Sequence, residues 1–116
     1  MATKDAASDL IRGNIDAIIL CTLSSKDSYG YEILKAVATA SRGEYEMKEP
    51  SLYTSLKRLE KQGFVESYWG DETQGARRKY YHMTSAGLTE LVDATERWVR
   101  VRNIIDCLLQ QDGGER

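Results

Sequence analysis

The sequence predicts a mainly α-helical chain with a small β-hairpin wing, a winged helix-turn-helix that continues into one long C-terminal helix. Three observations predict it. The stretch EPSLYTSLKRLEKQG carries a helical apolar pattern, ends on a glycine and runs into two β-prone segments separated by GDETQGARR. Ahead of it lie two further segments with apolar residues at helical spacing. Behind it, from Thr84 to Gln110, an alternating three-and-four apolar repeat persists for 27 residues.

At 116 residues the chain has room for one domain with one modest core. A hydrophobic content of 41% and a charged content of 29% describe a globular chain and exclude a disordered one. No apolar run approaches the roughly 20 residues needed to cross a bilayer. The opening MATKDAASD lacks the apolar core of a signal peptide, so the expected location is the cytoplasm, with no membrane partner. Cys21 and Cys107 stand in apolar contexts without CxxC spacing, and the single His82 completes no ligand set. Reduced, buried thiols are expected, with no metal and no cofactor.

The first helix is expected over Asp9 to Leu23, where Ile11, Ile15, Ile18 or Ile19, and Leu23 recur at helical spacing. Gly13 weakens it by roughly 1 kcal/mol relative to alanine. A close helix crossing is one reason for a glycine there; simple tolerance near a helix start is the other. Ser28 is placed to cap the second helix, SYGYEILKAVATAS, which is expected to bury Tyr31, Leu34, Val37 and Ala38. The link RGEYEMK is longer than a minimal helix-turn-helix turn, which suits a winged form. Pro50 then fits the first position of the third helix, because its missing N–H has no partner there. Leu52, Leu56 and Leu59 form one stripe, with Tyr53, Thr54, Lys57 and Lys61 on the other side. Gly63 stops the helix in a left-handed conformation that glycine adopts cheaply.

Phe64 to Trp69 and Lys79 to Met83 are the two strands of the hairpin, and Trp69 is expected to pack beneath it. Thr84 caps the last helix, whose seam runs Leu88, Leu91, Thr95, Trp98, Arg102, Ile105 and Leu109, widened by Val101, Ile104 and Leu108. Its 27 residues span roughly 40 Å. A body this small cannot cover such a helix, so a partner is expected, most simply a second copy of the chain. Residues 1–83 then form the winged DNA-binding region and 84–110 the dimerisation helix, together one compact unit.

The formal net charge is −2, but its distribution is uneven. Lys57, Arg58 and Lys61 face a single acid, Glu60, on the third helix, and Arg77, Arg78 and Lys79 return along the hairpin with no acid among them. Residues 84–116 hold four arginines against six acids. Positive charge is thus gathered where a recognition helix enters a major groove and a wing meets the flanking backbone. Ser51, Tyr53, Thr54 and Lys57 lie near the outward N-terminal end, which reaches base edges; Arg58 and Lys61 suit phosphates. A solvated surface charge is the competing account for each lysine or arginine, and packing against the wing is the competing account for Tyr53. Arg77, Arg78 and Lys79 cannot all face DNA from alternating strand positions, and Arg77, at the turn, is the simplest phosphate or minor-groove contact. Tyr29 is a phosphate contact by its place at the start of the second helix. One histidine, with no nucleophile, base and orienting group recognisable together, argues against an enzyme. A winged helix that binds proteins rather than DNA is the alternative class.

SYGYEI, SLYTSLKRLEKQG, SYWGDETQG and RRKYYHMT occur in an order and spacing that resemble the PadR family of bacterial transcriptional regulators, over nearly the whole chain. The single C-terminal helix resembles the small subfamily and its multidrug-sensing members. The resemblance implies a homodimeric repressor on an inverted-repeat operator of double-stranded DNA, joined through the last helix and the first. It also implies a planar aromatic effector stacked between the two copies of Trp98. Periodicity alone makes Trp98 an ordinary interface anchor. On the resemblance, Trp98 is joined at the site by Leu91, Thr95, Val99 and Arg102, with Asn14, Asp16 and Ala17 from the first helix. Thr95 stands where the sensing members carry an aromatic, and Arg102 where they carry an acid. An arginine opposes cationic ligands unless Asp16 or Asp106 pairs with it, so neutral or anionic planar compounds, or a narrower pocket, are expected.

Overall fold

The computed structural model describes residues 8–71 and 77–110. Residues 8–11 are helical and lead through a 3-10 turn, Arg12–Asn14, into α1 (Ile15–Ser25). There follow β1 (Ser28–Tyr29), α2 (Gly30–Ala40), α3 (Glu49–Lys61), β2 (Val65–Trp69), β3 (Lys79–Met83) and α4 (Ser85–Leu109). The mainly helical winged architecture is the one the sequence predicts. The first helix is not continuous, however: Asn14 leaves the helical region at φ −115°, ψ 10° beside the weak helix former Gly13. A Cβ at Gly13 would meet nothing within 4 Å, so no close crossing requires that glycine.

α1 is the centre of the fold. Its Ile19, Leu20 and Leu23 meet Ile33 and Val37 of α2, the Leu52, Leu56 and Leu59 stripe of α3, and Val65 and Tyr81 of the sheet. Burying each of these aliphatic side chains contributes roughly 1.5–3 kcal/mol. The long link before α3 is anchored twice, because Tyr45 and Met47 are both buried in the same core. Ser41 shapes its start: the Ser41 hydroxyl accepts from the Tyr45 N–H at 3.0 Å and lies 3.1 Å from the Ala38 carbonyl oxygen. Extra length here is therefore filled with core side chains.

The wing contains a third strand that the local sequence does not announce. β1 pairs antiparallel with β3, Ser28 opposite Tyr81 and Tyr29 opposite Tyr80, giving the order β1-β3-β2. The ladder takes Ser28 away from the cap position. Its hydroxyl donates to the Lys26 carbonyl, and α2 starts at Gly30 without a side-chain cap. That start also rotates α2 relative to expectation. Ile33 is fully buried, whereas Tyr31 is 61% exposed. Trp69 departs from expectation as well: it is 54% exposed near the hairpin tip, beyond the reach of the core. Cys21 and Cys107 are free and exposed, not buried, because Cys21 opens onto the groove between α1 and α2 and Cys107 lies on the last turns of α4, which are exposed all round.

Gly63 ends α3 as expected, at φ +82°, with the Phe64 N–H bonded to the Leu59 carbonyl at 2.9 Å. Thr84 then joins α3 to α4. Its N–H donates to the Phe64 carbonyl at 3.0 Å, its hydroxyl donates to the Gly63 carbonyl at 2.7 Å, and the same hydroxyl accepts from the Gly87 N–H at 3.0 Å. Gly87 is buried in this junction, and a Cβ there would collide with the Phe64 carbonyl and the Met83 side chain. Gly87→Ala is expected to cost about 1–3 kcal/mol by overpacking, although alanine is the better helix former. Gly13→Ala, in open space, is expected to gain roughly 0.4–1 kcal/mol. Urea unfolding of the two variants beside the parent measures both, and a stable Gly87→Ala protein would contradict the packing described.

Candidate nucleic-acid interface

α3 presents its candidate contacts because its leucines are committed to the core. With Leu52, Leu56 and Leu59 buried, Tyr53, Thr54, Lys57 and Lys61 are exposed, and Ser51 is half-buried at the N-terminal end. Tyr53 does not lean on the wing. Its phenol lies across the start of α2, against Gly30, where a Cβ would strike the ring and hydroxyl. Only glycine leaves room for that crossing.

Arg58 behaves differently from its neighbours. Its guanidinium grips both carboxylate oxygens of Asp16 on α1, at 2.7 and 2.9 Å, and reaches the Ser55 hydroxyl at 3.1 Å. Bidentate geometry of this kind holds planar partners firmly. The Asp16 hydrogen bonds, then its charge, raise the Arg58 pKa further above the arginine range. Arg58 was expected to meet a phosphate and Asp16 a ligand; in the free chain they hold each other and fasten α3 to α1. Sequence periodicity could not link residues 42 positions apart.

The three basic residues of the wing each rest on an aromatic ring. The Arg77 guanidinium lies 5.7 Å from the Trp69 ring centroid, Arg78 4.8 Å from Tyr29, and the Lys79 ammonium 5.9 Å from Tyr81. Trp69 and Lys79 are cross-strand partners, so they share a face. Arg78 goes with Tyr29 and Tyr80, which belong to the opposite face by alternation. The expectation that the three cations divide between faces is met. Tyr29 itself stands within the sheet, edge-on to Tyr80 with centroids 5.4 Å apart, and not on a helix. Residues 72–76 of the hairpin turn lie outside the described residues.

The face that carries Tyr29 and Tyr80 is tied to the body through Asp27. It accepts from the Tyr68 hydroxyl at 2.6 Å and lies 2.9 Å from His82 Nδ1, so one carboxylate on the α1–β1 link holds both hairpin strands. The Tyr68 hydrogen bond, outweighing the cost of burial and aided by His82, holds the Asp27 carboxyl below the usual range. The same bond pushes Tyr68 up to about 12. Sequence reading missed this bridge, since nothing local marks Asp27 as a partner of residues 41 and 55 positions away.

The candidate ligand residues fall on two helices that pack together, α1 and α4. Asn14, Asp16 and Ala17 are half-buried on and beside α1; on α4, Leu91 packs against the core, and Thr95, Trp98, Val99 and Arg102 are exposed. The Thr95 hydroxyl donates to the Leu91 carbonyl at 2.8 Å. Asp16, held by Arg58, does not neutralise Arg102, which has no ion-pair partner among the described residues. A groove of about 830 Å³ lies elsewhere, between α1 and α2, lined by Ile18, Cys21, Val37, Ala40 and Tyr45 among others, with none of the candidate ligand residues. Among the described residues no cluster of three His, Cys, Asp or Glu is arranged to hold a metal, and no helix is long and apolar enough to cross a membrane.

Residues 19–93 match the Transcriptional regulator PadR-like family. An uncharacterized protein of Lysinibacillus sphaericus is 41% identical over 103 residues, covering 89% of this chain and 94% of that protein. A transcriptional regulator from Clostridium thermocellum has a similar structure, with 42% identity and a TM-score of 0.79 over 85% of this chain and 93% of its own. A PadR family regulator from Clostridium difficile is 36% identical with a TM-score of 0.70, covering 83% of this chain and 98% of that one. Another from Eggerthella lenta is 28% identical with a TM-score of 0.81, over 91% and 90% of the two chains.

The Asp27 bridge carries a pH signature. A carboxyl whose folded pKa is depressed stabilises the fold above its unfolded value of about 3.9 and loses that contribution as pH falls through the folded value. Between about pH 5 and pH 2 the parent is therefore expected to lose stability more steeply than Asp27→Asn. Denaturant midpoints at several pH values test this, and parallel curves for the two proteins would refute the bridge.

Proposed function

The chain belongs to the PadR-like family of DNA-binding transcriptional regulators, whose members are not enzymes, and on that premise we propose that it is a homodimeric repressor released by a planar aromatic compound. The uncovered face of α4 carries this reading. Leu88, Val92, Trp98, Val101, Ile104, Ile105, Leu108 and Leu109 are all exposed along one 25-residue helix, in a chain that measures 65 Å by 35 Å by 20 Å. An apolar strip of this length in water is a surface for association. A second copy related by a twofold axis covers the same strip on both chains at once. Two copies of α3 then address successive major grooves about 34–36 Å apart, on an inverted-repeat operator.

Within the strip, Trp98 is the broadest flat surface, 42% exposed, with Leu91, Thr95, Val99 and Arg102 beside it on α4 and Asn14, Asp16 and Ala17 on the first-helix side. Paired across a twofold axis, two such rings form a slot for a planar aromatic. The unpaired Arg102 favours neutral or anionic compounds over cations. Bound between the helices, a ligand changes DNA affinity only through different affinity for the DNA-fit and DNA-unfit dimers. On the DNA side, Ser51, Tyr53, Thr54, Lys57 and Lys61 act from α3, with Arg77 and Lys79 from the wing, and Arg58 acts by holding α3 in place.

Sedimentation equilibrium is expected to give twice the 13.1 kDa chain mass. Lys57→Glu should remain folded and dimeric yet bind a duplex from upstream of its own gene roughly tenfold or more weakly in a mobility shift. Normal binding by that variant would remove α3 from the interface. With Trp69 replaced by Phe so that Trp98 alone reports, anionic planar dyes should quench fluorescence at lower concentration than cationic ones. Tighter quenching by cations would sink the charge preference, and no quenching by any dye would sink the ligand slot.

A further inference from the structure

Tyr31 is an exposed aromatic at a place where the fold has no use for one. It stands in the first turn of α2, 61% exposed, and the Lys35 ammonium one turn later lies 5.8 Å from its ring centroid. Glu32, the acid of the same turn, is directed to Lys26 at 3.7 Å, so a lysine already answers the nearest acid. Tyr29, two residues earlier, is held in the sheet between Tyr80 and Arg78. Gly30, between the two tyrosines, fixes where this turn lies, because the Tyr53 phenol of α3 crosses directly over it. Tyr31 therefore follows directly on the residue that α3 crosses, and Lys35, one turn further along α2, also borders the groove between α1 and α2.

We propose that Tyr31 and Lys35 clamp one backbone phosphate of the DNA strand flanking the groove that α3 enters, and so set the angle at which α3 sits. The chemistry divides simply. The Tyr31 hydroxyl donates a hydrogen bond to a phosphate oxygen, and the Lys35 ammonium supplies the charge. The ring narrows the orientations open to the lysine, which reduces the rotamer entropy lost on contact. In helix-turn-helix proteins the helix before the recognition helix crosses the backbone, and phosphate contacts there fix register without reading bases. This clamp rests on the DNA-binding reading and adds α2 to a surface otherwise made of α3 and the wing. Both residues are positioning residues and should contribute equally to any sequence.

The test uses the full chain, a duplex from upstream of its own gene and a random-sequence duplex of equal length, titrated between about 50 and 200 mM salt. Lys35→Gln and Tyr31→Ala should each weaken both duplexes by the same factor, roughly tenfold. Lys35→Gln should also lower the slope of log K against log salt by about 0.9, the loss of one phosphate contact. Thermal melting by circular dichroism should match the parent, since neither side chain is in the core. Unchanged affinity and slope for Lys35→Gln would overturn the clamp while leaving parental DNA binding intact. A loss confined to one duplex would overturn it too, by pointing to base reading. A parent that binds neither duplex in a salt-dependent way would overturn the DNA-binding reading itself.

Discussion

Everything in this fold depends on how the end of α3 is fastened to the start of α4. The fastening is a single threonine. Thr84 closes on the carbonyls of Gly63 and Phe64 through its hydroxyl and its N–H, and caps α4 by accepting from Gly87. Two carbonyls of the turn that follows α3 and one N–H left free at the start of α4 are answered in one place. Gly87 then brings the α4 backbone against the Phe64 carbonyl with no side chain between. A junction with this few loose bonds moves as one piece, so the direction of α4 and the direction of α3 are set together. The Asp16–Arg58 grip adds a second fixed point, between α1 and α3.

The charge arrangement follows from these attachments. The chain is acidic in total, yet α3 and the wing expose lysines and arginines on surfaces that the core cannot use. Aromatic rings beneath Arg77, Arg78 and Lys79 restrain side chains that would otherwise sample many rotamers. Arg58 shows the opposite use of a cation. It is tied to an acid within the chain and serves the position of the helix. Two arginine or lysine residues one position apart on α3 thus differ in role because of a partner on another element, which no count of charges reveals.

Local rules carried the sequence reading far where they applied. The leucine stripe of α3, the left-handed Gly63 stop, the Thr84 cap and the long final helix are all set by contacts within a few residues, and each is found in place. Departures occur where a distant element decides. β1 is two residues long and exists only because β3 pairs with it, and that pairing removes Ser28 from the cap, moves Tyr29 into the sheet and exchanges Ile33 for Tyr31 in the core. Trp69 is exposed because the hairpin outruns the small body beneath it. The exposed surface of α3 was legible as a pattern, while the Arg58–Asp16 and Asp27–Tyr68–His82 bridges required the fold to bring remote positions together.

The two exposed thiols give the chain a built-in ruler. Cys21 sits on α1, the centre of the body, and Cys107 lies near the far end of α4. From Ser85 to Cys107 the helix rises about 33 Å, so a change of only about 5° in the tilt of the joined α3–α4 unit against α1 carries Cys107 through roughly 3 Å. A nitroxide or fluorophore on each native cysteine therefore reads the tilt of α4 with leverage, and no residue of the recognition surface has to be altered to obtain it.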